Sequence, residues 1–135
     1  MRIPLLASAV AASLAVSGCG LGGPAYKAPP AAVDAVVDMT IGFNYSPNQL
    51  TIVEGQTVEW RNKSIMGHTV TADPSKAKNA ADVMLPAGAQ PFHSGNIGPG
   101  EVWQYRFTVP GDYRYFCIPH EGQGMVGTVR VTRRG

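Results

Sequence analysis

Apolar and polar residues alternate with a period of two along much of this chain, a pattern that suits half-buried strands and not amphipathic helices. Val37, Met39, Ile41, Phe43 and Tyr45 share one face of a segment whose other face carries Val36, Asp38, Thr40, Gly42 and Asn44. Trp103, Tyr105, Phe107 and Val109 repeat the pattern, and Val129 and Val131 alternate with Thr128, Arg130 and Thr132. Shorter strand signals lie at 50–53, 57–62, 68–72 and 113–116. Ser46-Pro47-Asn48, Glu54-Gly55, Gly98-Pro99-Gly100 and Pro110-Gly111-Asp112 supply turn chemistry between them. Sixteen glycines and eleven prolines in 135 residues leave little room for long helices. Seven or eight short strands at this spacing predict an all-β sandwich or barrel. The one helix-compatible stretch, Pro74–Met84 with Asp73 as N-cap, is short and runs into a Gly/Pro-rich segment, so it reads as a loop excursion.

The first residues read as an address. One positive charge at Arg2 precedes an uncharged run from Ile3 to Val16, shorter than the roughly 18 residues that a membrane span needs. It fits the apolar region of a secretory signal. Val16-Ser17-Gly18-Cys19 resembles the bacterial lipoprotein box, which implies a signal peptide over 1–18 and a lipid on Cys19 as the mature N-terminus. The competing reading is a disulfide between Cys19 and Cys117, the chain's two cysteines. Residues 19–33 are rich in Gly, Pro and Ala and read as a flexible tether. The globular domain is then 34–135.

The chemistry concentrates in Cys117-Ile118-Pro119-His120-Glu121-Gly122-Gln123-Gly124-Met125. With three histidines and five methionines in the whole chain, chance places a His and a Met at these offsets from a cysteine about once in a thousand trials. A thiolate, an imidazole and a thioether form a soft donor set that selects copper over magnesium, calcium or manganese. Two histidines and a cysteine with a weak axial methionine make an electron-transfer copper site. The second histidine must be His68 or His93. His68 opens a strand after the turn Ile65-Met66-Gly67 and is favoured; His93 lies in a loop with no alternation around it.

The segment from Pro110-Gly111-Asp112-Tyr113 through Cys117, His120 and Met125 to Val126-Gly127 resembles the C-terminal ligand loop of plastocyanins, blue copper proteins of the cupredoxin superfamily. Pseudoazurins and halocyanins share its spacing. Asn44-Tyr45-Ser46-Pro47, Val58-Glu59-Trp60-Arg61-Asn62 and His68-Thr69-Val70 are similar to the general cupredoxin pattern. The resemblance implies a Greek-key β-sandwich holding one type 1 copper ion on His68, Cys117, His120 and Met125. It also implies a carrier of single electrons between membrane-associated redox partners. Phe116 and Thr69 stand where plastocyanins usually have Tyr and Asn. With no acidic patch visible, a tethered respiratory or surface carrier like the halocyanins fits better than a photosynthetic one.

Other classes are disfavoured by counting. Eleven Lys and Arg against nine Asp and Glu give no basic surface for nucleic acid. Three histidines are too few for multicopper oxidases or copper nitrite reductases, and a binuclear centre needs a second cysteine in the loop, so the chain is not read as an enzyme. Thiol catalysis by Cys117 would leave Met125 unexplained. The remaining alternative is a lipoprotein that stores or delivers copper. Ile118, Pro119, Gly122, Gly124, Met66 and Gly67 form an uncharged collar around the site, where partners are expected to dock near His120 on a monomer. Thr69 and Asn62 are expected to hydrogen-bond the ligand loop, Glu121 to be solvated, and Met66 and Met84 to be apolar surface near the site.

Overall fold

The computed structural model describes residues 32–135. Nine strands form two mixed sheets: β1 (Ala35–Met39), β2 (Tyr45–Ser46), β3 (Gln49–Val53), β4 (Thr57–Asn62), β5 (Thr71–Ala72), β6 (Phe92–His93), β7 (Val102–Arg106), β8 (Gly111–Phe116) and β9 (Val126–Thr132). One sheet runs β2-β1-β4-β7 and the other β3-β9-β8-β5-β6. The chain leaves the first sheet for β3 and returns for β4, so β1 and β4 pair in parallel, as β3 and β9 do in the second sheet. The result is the Greek-key β-sandwich that the resemblance implies.

The alternation works because each sheet has one dry face. Val37 and Met39 of β1, Val58 and Trp60 of β4, Tyr113 and Tyr115 of β8 and Val129 and Val131 of β9 meet in one core. Polar tips inside it are paired: Trp60 Nε1 donates to Tyr115 Oη at 3.1 Å, and Tyr45 Oη donates to the Thr69 carbonyl at 2.6 Å. The second bond ties β2 to the segment that carries His68.

Two expectations are corrected here. The alternating run 36–45 is not one strand. It breaks at a turn over 40–44, where Thr40 N donates to the Asn44 carbonyl at 3.0 Å and β2 folds back antiparallel on β1. Ile41, placed by periodicity on the core face, is 61% exposed at that turn. The strand count among the described residues is nine rather than seven or eight, because the 36–45 run splits into β1 and β2 and the two-residue β6 is too short to show a period. The excursion after β5 holds two 3-10 turns, Pro74–Lys76 capped by Asp73 and Ala80–Asp82 capped by Asn79. The proposed signal peptide, Cys19 and nearly all of the tether lie outside the described residues.

Candidate metal centre

Cys117 follows β8 directly, and its thiol is fully buried and unbridged among the described residues. His68 lies 49 residues upstream, in the connection between β4 and β5. The structure brings the two together at the end of the sandwich, with His68 Nδ1 at 3.6 Å from Cys117 Sγ. His120 Nδ1 stands 3.4 Å from the same sulfur and 3.1 Å from His68 Nδ1. Met125 is fully buried, its carbonyl accepting from Cys117 N at 3.0 Å and its amide donating to the His120 carbonyl at 3.2 Å. His93 is elsewhere, its Nδ1 at 2.9 Å from Thr71 Oγ1. Met84 pairs through its backbone with Arg114 and is half exposed.

The turn before His68 is built around Asn62 at the end of β4. Its Nδ2 donates to the Met66 and Ile97 carbonyls at 2.7 and 2.8 Å, and its Oδ1 accepts from Ser64 N and Oγ. Asn62 therefore braces the His68 turn and does not reach the 117–125 loop as expected. Thr69 does: its amide donates to Cys117 Sγ at 3.3 Å and its Oγ1 accepts from Ile118 N at 2.9 Å. Ser64 is a residue that sequence reasoning missed. Its Oγ lies 2.8 Å from His68 Nε2. With the proton on Nε2 donated to Ser64, the lone pair of Nδ1 faces Cys117 and His120, which is how an outer hydrogen bond selects a tautomer. The only signal for it was a serine four residues before a histidine, too common to read.

The 117–125 loop is two short turns joined by a kink at His120, with φ −121° and ψ 20°. Gly124 closes it in the left-handed conformation at φ 77°, its amide donating to the Glu121 carbonyl at 2.9 Å, a backbone geometry that glycine adopts freely. The His120 ring lies half-buried against Phe43, with centroids 4.5 Å apart, and against His68 at 4.8 Å. Phe43 reaches it from the 40–44 turn with φ at 55°, uncommon for an aromatic residue. Glu121, expected in solvent, is instead buried.

Burial holds both imidazoles below the ordinary histidine range, and their mutual repulsion lowers His68 further. Burial also pushes the Cys117 thiol up, partly offset by hydrogen bonds from Thr69 and His120. Two neutral imidazoles thus point their Nδ1 atoms at one sulfur, in a triangle that a single ion can touch on all sides. Soft, nitrogen-rich and closed to water on the Cys117 side, this donor set fits copper.

The comparisons agree with the geometry. Residues 31–132 match the family model described as copper binding proteins, plastocyanin/azurin family. Plastocyanin from Scenedesmus fuscus is 34% identical over 87 residues, covering 64% of this chain and 85% of that one. Chloroplastic plastocyanin from Oryza sativa subsp. indica is 33% identical over 87 residues; the match covers 64% of this chain and about half, 54%, of that protein. Among solved structures, an oxidised amicyanin variant superposes with a TM-score of 0.57 at 28% identity, covering 73% of this chain and 81% of that one. A copper-containing nitrite reductase from Thermus scotoductus gives 0.58 at 28% identity, covering 75% of this chain but only 23% of the enzyme.

Proposed function

This chain belongs to the plastocyanin/azurin family of copper-binding proteins, and from that premise we propose that it is a mononuclear blue copper electron carrier. The carrying observation is the convergence of His68 Nδ1, His120 Nδ1 and Cys117 Sγ within 3.1 to 3.6 Å of one another. His68, Cys117 and His120 would hold one copper ion with Met125 as the weak fourth ligand, and the ion would supply the one-electron couple. The protein's part is to keep the ligands still: Ser64 orients His68, Thr69 donates to the sulfur, and Phe43 backs the His120 ring. The nitrite reductase likeness covers 23% of that enzyme, and beyond His68 and His120 only His93 remains, too few histidines for a second copper. We therefore read the chain as a carrier rather than an enzyme.

Electrons would enter and leave by the partly exposed edge of His120. Pro119, Gly122 and Gly124 are exposed beside it in the ligand loop, and Ile65 and Ile41, in the turns that carry His68 and Phe43, are 79% and 61% exposed. An uncharged collar lets redox partners approach without stripping water from charges, and it suits small transient interfaces. Gly122 is the place to test it. A Cβ there meets nothing within 4 Å, whereas one at Gly67 runs into the Asn96 side chain. Gly122→Asp is expected to leave the absorption spectrum unchanged and to slow electron self-exchange between copies about tenfold through like-charge repulsion. The parent should show a reversible one-electron wave. A protein that binds copper without one would instead be a store or delivery factor, and an unslowed Gly122→Asp would place the exit on another face.

We further propose that 1–18 is a lipoprotein signal, that Cys19 carries the lipid and 19–33 the tether, and that 34–135 is the copper domain, exported and held at the outer face of a bacterial membrane. Cys19→Ser should move the protein from the membrane to the soluble fraction with copper binding intact. A variant still on the membrane would show that the anchor lies elsewhere.

A further inference from the structure

Glu121 follows His120 directly, and its side chain is 6% exposed. No cationic side chain pairs with it among the described residues, where the ion pairs are Arg61–Glu59 and Arg130–Asp112. Its carboxylate accepts instead from backbone amides 42 and 43 positions upstream. Lys78 N donates to Oε1 at 2.8 Å and to Oε2 at 3.1 Å, and Asn79 N donates to Oε1 at 2.9 Å. Burying a carboxylate is costly unless such bonds replace its water.

The bonds are not needed to close the ligand loop. That loop is already tied by Cys117 N to the Met125 carbonyl, His120 N to the Cys117 carbonyl, and Met125 N to the His120 carbonyl. They are needed by the segment they reach. Neither 3-10 turn of the excursion, Pro74–Lys76 or Ala80–Asp82, contains a buried residue, so apolar packing does not hold those turns. Their other fastenings lie at one end, where Arg114 Nη1 donates to the Ala81 carbonyl at 2.9 Å and Met84 bridges to Arg114. Glu121 is the fastening at the ligand-loop side.

We propose that Glu121 is a positioning residue for His120, a buried carboxylate that clamps the excursion 74–82 onto the ligand loop. The functional weight of the clamp rests on the copper reading above. His120 sits at the kink of its loop with its own N–H and carbonyl tied within that loop, so what remains to be held is its ring and the residue that follows it. Phe43 holds the ring on one side, and Glu121 anchors the next residue on the other. A fixed imidazole edge keeps the electron-transfer path the same in both redox states.

Two variants separate positioning from charge. Glu121→Gln removes the charge but keeps a carbonyl oxygen for Lys78 and Asn79, whereas Glu121→Ala removes both. In the metal-free protein, hydrogen exchange at the Lys78 and Asn79 amides should accelerate about tenfold or more in Glu121→Ala and stay within about threefold of the parent in Glu121→Gln. In the copper-loaded protein, self-exchange should slow at least about threefold in Glu121→Ala and stay near the parent in Glu121→Gln. Equal behaviour of the two variants, or unchanged amide protection in Glu121→Ala, overturns the proposal. If Glu121→Ala fails to fold, the amide protection in Glu121→Gln decides, since loss there also overturns it. A parent that never turns blue, with the amide contrast intact, would remove the copper reading and leave the clamp standing.

Discussion

Replacing Cys117 by serine is expected to abolish the intense red-region absorption expected of the Cu(II)-loaded protein, and not merely to weaken it. The band requires a thiolate bonded to copper, and Cys117 carries the only thiol among the described residues. A serine hydroxyl does not ionise at neutral pH and is a hard donor that copper binds poorly. Losing even an outer partner of a metal ligand costs roughly 10–100-fold in affinity, so losing this ligand should cost at least about a hundredfold. The fold should survive, because serine differs by one atom and its oxygen can still accept from Thr69 N, which now donates to the sulfur at 3.3 Å. Visible absorption, copper titration and thermal unfolding of the metal-free variant would check the three statements together. A Cys117→Ser protein that stays blue would falsify the site.

The second large effect concerns the fold beneath the site. Gly127→Ala should destabilise the domain by about 3 kcal/mol, the upper end for overpacking a tight interior. Gly127 is buried in β9 opposite Tyr115 of β8, and a Cβ there would overlap the Tyr115 ring at Cζ. The ring has nowhere to retreat. It is 1% exposed, its hydroxyl accepts from Trp60 Nε1, and the Tyr45 ring stands edge-on at 4.7 Å. For a domain of this size each kcal/mol lowers the melting temperature by roughly 4–8 °C, so a fall of more than about 10 °C is expected. In a Tyr115→Ala background the same substitution should cost at least about 1 kcal/mol less, since residues in contact do not add. Equal costs in both backgrounds would mean that the clash with Tyr115 is not the cause.

Where the residues themselves encode a local rule, the structure agrees with the sequence. Val37, Met39, Val58, Trp60, Val129 and Val131 all lie in the core as their alternation requires. Alternation failed at Ile41 and Phe43 because a period of two cannot announce its own end. The backbone turns at 40–44, and Phe43 leaves the strand pattern to lie against His120. β6 was invisible for a related reason, since two residues define no period and only the pairing of Thr71 with His93 and Ala72 with Phe92 makes it a strand. Glu121 looked solvated because the amides that receive it belong to a segment 42 residues away.

The sequence by itself determined the donor types and the spacing of three of them, because a turn of nine residues confines its side chains to one small volume whatever surrounds it. It also determined the dry faces of the long strands, since each follows from the geometry of a single extended segment. Only the tertiary structure decided that His68 and not His93 faces Cys117, that Ser64 and Phe43 support the two imidazoles, and that Glu121 turns inward. Each of those depends on which distant segments the two sheets bring to the same end. Contacts of that kind arise when the sandwich closes, and no stretch of the chain contains them beforehand.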